Sequence, residues 1–278
     1  MADYLRPTSL DEALGALAER PWTMLAGGTD VYPANVGRPI GGDVLDVTGL
    51  PSLRAITVAD GAVRIPALAT WTDLVRADLP GAFDGLKAAA RSIGGVQIQN
   101  RGTLAGNLCN ASPAADGLPN LMALDARVEL ASSAGRREVP VGEFVVGNRR
   151  TIRRPDELVT AILVPTPSST ARSTFLKLGS RAYLVISIAS VAAVVDVRAD
   201  GRVGSARIVV GACSEVPMRI EAAERRLVGE AASPSLVDAI QASDVDVLSP
   251  IDDVRGTAAY RRDVALTLVR RAVAGLLS

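Results

Sequence analysis

Gln99-Asn100-Arg101-Gly102-Thr103-Leu104-Ala105-Gly106-Asn107, followed by Ala111-Ser112-Pro113-Ala114-Ala115-Asp116, is the stretch on which the reading of this chain turns. It lies between Gly94 and Pro119, where Gly, Asn, Ser and Pro accumulate and hydrophobic periodicity fades. A connection that long without its own helix or strand pattern is either functional or disordered, and this one is too apolar for simple disorder. It carries backbone donors, a threonine hydroxyl, an asparagine amide and a carboxylate of the kind that holds ribose hydroxyls. A second segment, Leu25-Ala26-Gly27-Gly28-Thr29-Asp30, directly follows an apolar strand pattern. Paired glycines let a ligand approach the peptide plane, and successive N–H groups in such a turn make a concave anion site. Two such turns can grip a pyrophosphate. Neither segment matches the G-x-G-x-x-G or the Walker pattern, so the residues alone leave two readings open, tight turns or a dinucleotide clamp.

Working outward, Leu10, Ala13, Leu14, Leu17 and Ala18 fall at helical spacing behind a Ser9/Glu12 capping box, and Pro21 ends that helix. Short strands are expected at Thr23 to Ala26, Val44 to Val47 and Val63 to Pro66. Thr70 caps a helix closed by Pro80, and a further helix spans about Asp84 to Ile93. Strands follow at Arg127 to Ala131, Glu138 to Val141 and Leu158 to Val164. Beyond a Pro/Ser-rich linker, Pro165 to Ala171, strands are expected at Thr174 to Leu178, Ile188 to Val197 and Ala206 to Ala212, with a hairpin turn at Asp200-Gly201. Helices are expected at Met218 to Leu227, Ser235 to Ala242 and Gly256 to Leu277. Without regular βαβ alternation, the class is α+β. The linker divides the chain into residues 1–167, with subparts of about 1–55 and 56–167, and residues 171–278.

Composition excludes several chemistries. The chain has 278 residues and no histidine, which removes a Ser-His-Asp hydrolase and a His-bound zinc site. Two cysteines, Cys109 and Cys213, cannot supply the four thiolates of an iron–sulfur cluster, and their lack of an evident partner suggests a reducing compartment. Thirty basic residues balance 30 acidic ones, so no overall field draws the chain to nucleic acid or to an anionic membrane. Met1 to Pro7 lacks the pattern of a signal peptide. The longest apolar run, Val185 to Val195, is too short to span a bilayer. A cytoplasmic protein without membrane insertion is expected.

Several stretches together resemble the FAD-binding medium subunits of molybdenum hydroxylases, the xanthine dehydrogenase and carbon monoxide dehydrogenase family. They are Tyr4 to Leu14, Ala26 to Asp30, Leu45-Asp46-Val47, Ile65 to Thr70, Gln99 to Asn107, Ala111 to Asp116, Asp253 to Gly256 and Tyr260-Arg261-Arg262. The resemblance implies an α+β chain with a two-part, PCMH-like N-terminal FAD-binding domain and a C-terminal α+β domain of the carbon monoxide dehydrogenase flavoprotein type. It implies FAD as the cofactor here, with molybdopterin on a large partner subunit and 2Fe-2S clusters on a small one, in a heterotrimer or its dimer. Such a subunit carries no catalytic residue for the organic substrate and binds no metal. It takes electrons from the clusters and passes them to NAD, oxygen or another acceptor. The alternative is a stand-alone FAD-dependent reductase, whose substrate-binding motif is not found.

Residue by residue, the resemblance implies that Met24, Leu25, Ala26, Gly27, Gly28, Thr29, Asp30 and Val31 wrap the pyrophosphate and approach the flavin. Thr103, Gly106 and Asn107 form the other half of the clamp, Asp116 stands near the ribose, and Leu158, Val159 and Lys177 line the cofactor. Tyr183 stacks near the isoalloxazine. On the residues alone, the alternatives are strand core for Leu158 and Val159, a solvated lysine for Lys177, a helix cap for Asp116 and a core tyrosine for Tyr183. Cys109 reads as a small buried hydrophobe. Two positions depart from the family pattern: Ala105 replaces a glycine, and Leu184 stands where some relatives carry an acidic residue beside the flavin.

Overall fold

The helix Leu10–Glu19 buries Ala13, Leu14, Ala16 and Leu17 along one face, as its spacing requires. The computed structural model describes residues 2–59 and 61–278; Met1, first in the N-terminal stretch read above, and Asp60 lie outside the described residues. Ser9 caps this helix by accepting the Glu12 N–H at 3.2 Å. The expected capping box is only half made, because Glu12 accepts the Thr8 N–H at 2.9 Å and not that of Ser9. The reciprocal box forms instead at Thr70 and Asp73, opening Trp71–Arg76.

Three sheets carry most of the strands, beside a two-stranded ladder of Val145–Gly147 and Arg150–Thr151. Tyr4–Leu5, Val44–Asp46 and Thr23–Leu25 form a parallel sheet in that spatial order. An antiparallel sheet follows, ordered Thr57–Ala59, Ala62–Pro66, Leu158–Pro165, Arg127–Ser132, Gly135–Pro140. The third sheet is antiparallel and ordered Ala171–Leu178, Ala189–Val197, Val203–Gly211, Met218–Arg219. In its second strand Ala192 and Val194 face one core while Val191, Ala193 and Val195 face another. A strand buried on both faces reads as a near-continuous apolar run, which is what Ala189 to Val195 shows. The helix Ala258–Leu276, capped by Thr257, covers one face through Ala265, Val269, Ala272 and Val273. Helices Asp84–Ser92 and Gly117–Ala123 pack on the other.

Three expectations need correction. The stretch from Gly94 to Pro119 is not one long loop: Val96–Gln99, Leu104–Asn110 and the start of Gly117–Ala123 are helical. Elements of four to seven residues are too short to show a 3.6-residue period. The helix expected from Met218 begins as a strand, since the Ile220 N–H donates to Ile208 O at 2.8 Å and delays the helix to Glu221–Leu227. Ser235 to Ala242 gives only 3-10 turns, Pro234–Ala239 and Ala242–Val245; the first buries no residue and so has no packed face to lengthen it.

Candidate cofactor-binding site

Thr23–Leu25 alternates in the way strands do. Met24 and, just beyond, Ala26 face a cleft of about 770 Å3, while Leu25 turns into the core. Cofactor sites commonly fall in this size range. Two separate constraints then demand glycine. A Cβ on Gly27 would stand 1.9 Å from the Arg101 carbonyl oxygen, and one on Gly28 would stand 2.4 Å from the Tyr32 ring. Gly28 also adopts φ +72°, in the left-handed region. The two glycine-containing segments of the sequence thus meet in space. Among the described residues, no backbone carbonyl accepts from the N–H groups of Gly27, Gly28, Thr29 or Asp30. Those donors, with Asp30 and Val31, border the cleft.

The second wall is the helix Leu104–Asn110. Thr103 Oγ1 accepts the Gly106 N–H at 2.9 Å, which caps the helix and leaves the hydroxyl proton to point elsewhere. Gly106 therefore has no spare N–H, and its contribution is the open surface left by the missing side chain. Asn107 lies beside it on the cleft. Trp71 forms the floor: Cβ atoms on Gly102 and Gly117 would lie 3.3 and 2.8 Å from its ring. Ala105 is buried and also belongs to the cleft lining.

Asp116 does not cap the helix that follows it. Its carboxylate receives Lys177 Nζ at 2.8 Å and the Ser187 hydroxyl at 2.6 Å. Lys177 is correspondingly withdrawn from solvent, with a 13% exposed side chain. Leu158 and Val159 are buried and also line the cleft. Glu157, beside them, is held below the usual glutamate range by hydrogen bonds from Arg137, against the opposing effect of burial.

Tyr183 is 77% exposed, so it is not a core tyrosine, and it stands outside the cleft lining. Leu184 takes φ +53° and its carbonyl accepts from Arg181 Nε at 3.1 Å; this turn presents Val185 to Ser187 to the cleft instead. Cys109 is exposed and faces the cleft, where burial was expected. Sequence reasoning also missed Trp22, Trp71, Ile98, Arg149 and Arg153, all on the cleft wall. The tryptophans carried a signal, since the chain has only two. The arginines carried none, because 148–154 reads as an ordinary polar turn.

Glycine turns and a hydroxyl suited to an anion, with apolar Met24, Ala26, Leu158 and Val159 on the same cleft, fit a dinucleotide, and the close-packed Gly27 and Gly28 leave the room it needs. Fold and cleft together define a dinucleotide-cofactor protein of the α+β class. Family models then specify it: residues 1–167 match the FAD binding domain in molybdopterin dehydrogenase, and residues 174–276 match the CO dehydrogenase flavoprotein C-terminal domain. The chain is 31% identical to the putative xanthine dehydrogenase FAD-binding subunit of Escherichia coli K12, covering 98% of this chain and 94% of the relative. Carbon monoxide dehydrogenase from Oligotropha carboxidovorans superposes with a TM-score of 0.88 at 28% identity, over 98% and 96% of the two chains. Quinoline 2-oxidoreductase from Pseudomonas putida 86 gives a TM-score of 0.89 at 25% identity, over 100% and 97%. The chain belongs to the FAD-binding family of molybdopterin dehydrogenases. It is an oxidoreductase subunit of the xanthine and carbon monoxide dehydrogenase type, with FAD as its cofactor.

Proposed function

We propose that this chain is the electron-delivering subunit of a three-component molybdenum hydroxylase. A large subunit with molybdopterin oxidises the substrate, and a small subunit with 2Fe-2S clusters relays the electrons here, in a heterotrimer or its dimer. They leave to NAD, oxygen or another acceptor. FAD, when bound, supplies a carrier that handles electrons singly or in pairs. The protein's part is to bind, orient and shield that group. Two cysteines cannot hold the clusters, so a relay must come from another chain. The observation that carries the reading is the meeting of the Gly27-Gly28 turn with the Gly102–Asn107 segment on one dinucleotide-sized cleft.

In this proposal the N–H groups of Gly27 to Asp30 and the Thr103 hydroxyl hold the pyrophosphate, and Met24, Ala26 and Val31 border the flavin. Leu25 supplies only backbone. Gly106 and Asn107 give the cofactor its path, Asp116 orients the ribose, Lys177 fixes Asp116, and Leu158 and Val159 pack against the adenosine half. Tyr183 is left out of the clamp. Residues 1–167 form the FAD-binding domain and residues 171–278 the C-terminal domain. We place the protein in the cytoplasm; among the described residues no helix is long and apolar enough to cross a membrane.

The test is an absorption spectrum of the purified chain after adding FAD and desalting, repeated on the complex isolated with its partners. Retained flavin bands in either support the site. The isolated chain with FAD should not oxidise aldehydes, N-heterocycles or carbon monoxide. Steady turnover of such a substrate by the chain alone would sink the division of labour and favour a self-sufficient reductase.

A further inference from the structure

Arg149 and Arg153 line the cleft, and Arg149 does so away from the Gly27-Gly28 turn. Helix Leu104–Asn110 measures the separation: Gly27 packs at its start, on Arg101 and Gly102, while the Arg149 N–H donates to Ala111 O at its end, 2.8 Å away. Seven helical residues rise about 10 Å. Arg149 is fixed by a left-handed backbone, φ +54°, and by an Nη1 hydrogen bond to Asn110 Oδ1 at 2.6 Å. Arg153 donates through Nη1 to the carbonyls of Arg154 and Glu157, at 3.0 and 2.7 Å. All of these acceptors are neutral. Among the described residues no carboxylate pairs with either guanidinium, and the adjacent Glu157 carboxylate is already taken by Arg137 and the Arg154 N–H.

Two planar cations, held by neutral partners beside the apolar Leu158 and Val159, suit the face of a purine. Guanidinium groups stack on aromatic rings in a way lysine cannot reproduce, and single bases splayed from a stack are commonly seated on arginine planes. We propose that Arg149 and Arg153 seat the adenine and thereby make the chain select FAD over FMN. This rests on the reading above that Gly27 to Asp30 and Thr103 hold the pyrophosphate. A flavin ending at its first phosphate stops near the start of the helix and never reaches the two arginines.

The chain's only two tryptophans, Trp22 and Trp71, both border the cleft, so ligand entry is read from tryptophan fluorescence of the full chain. FAD, FMN and ADP are titrated against the natural protein and the double variant Arg149→Ala/Arg153→Ala. FAD and ADP should weaken about tenfold or more, as loss of a base-stacking partner does, while FMN affinity stays put and certifies the fold. Changing the exposed neighbours, Arg150→Ala/Arg154→Ala, should leave all three ligands unaffected. Equal weakening of FAD and FMN, or undiminished FAD binding, overturns the proposal. So does full FAD affinity in Arg149→Lys/Arg153→Lys, which keeps charge without the plane. If the natural protein binds none of the three, alone or with its partners, the FAD site itself is refuted, a failure distinct from that of the adenine seat.

Discussion

Lys177 Nζ lies 2.8 Å from Asp116 Oδ2, and this pair ties the strand Ala171–Leu178 to the segment that opens the helix Gly117–Ala123, across the rim of the cleft. Ser187 donates to the other Asp116 oxygen at 2.6 Å, and Lys177 also reaches Val185 O at 3.2 Å. Residues 61 positions apart in sequence are thus held at one point. Asp116 is buried at 6% exposure, so the pair is not a screened surface contact.

Removing one partner strands a buried charge. Lys177→Met should cost about 3 kcal/mol of unfolding free energy, the usual scale for breaking a buried pair, and should impair FAD retention. Asp116→Asn/Lys177→Met should recover most of the stability, because no charge is left alone, without recovering the cofactor. Urea denaturation and post-desalting flavin absorbance measure the two effects separately. Unchanged stability in Lys177→Met would show that water reaches the pair.

The glycine turn should respond asymmetrically. Gly28→Ala faces a left-handed backbone and the Tyr32 ring, so Gly28→Ala/Tyr32→Ala should relieve the clash and leave only the backbone strain, about 1 kcal/mol. Gly27→Ala meets the Arg101 carbonyl, part of the main chain, and no side-chain change should rescue it. Thermal unfolding of these three variants beside the natural protein, with Gly27→Ala/Tyr32→Ala as the control, checks the difference; equal rescue by Tyr32→Ala at both positions would contradict this packing.

Much of this was legible in the sequence because the signals were local. Ser9, Thr70 and the apolar run at Ala189 announce their elements through caps and patterning. The two glycine-containing segments were visible as glycine and asparagine clusters, although only a chain fold could bring Gly27 against Arg101. What stayed hidden depends on distant partners. Asp116 reads as a ribose ligand or a helix cap, and its ties to Lys177 and Ser187 show only in the fold. The short helices between Gly94 and Pro119 hold too few turns to imprint a period, and Arg149 and Arg153 gain meaning only from their place at the end of one of them. Tyr183 lies outside the cleft lining for the same reason: the turn at Leu184 decides which residues of that loop face inward.

Acid should weaken the fold in a defined window. Asp253 is held well below the usual carboxylate range, at about 2, chiefly by the Arg255 hydrogen bonds; Arg64 lowers Glu129 and Arg137 lowers Glu157 in the same way. A carboxylate whose folded pKa is depressed binds fewer protons folded than unfolded in this range. The stabilisation is therefore complete above the ordinary carboxylate values and is lost as pH falls toward the depressed ones. The melting temperature should fall progressively from about pH 4.5 towards pH 2. Glu157→Gln should flatten part of that slope; an unaltered profile would remove the Arg137 pair from the account.

Thr103 does two jobs that substitution can separate. Its oxygen caps the helix Leu104–Asn110 through the Gly106 N–H, and its proton is free for the cleft. Thr103→Val removes both functions and should lose about 1 kcal/mol of stability together with the flavin. Thr103→Ser preserves both. Thr103→Asp caps as well as threonine does, yet replaces a donor by an anion where a pyrophosphate is proposed to sit. That variant should unfold within about 1 kcal/mol of the natural protein and still emerge from desalting without flavin bands. If it retains FAD, the hydroxyl serves only the helix, and the clamp must rest on the Gly27 to Asp30 backbone alone.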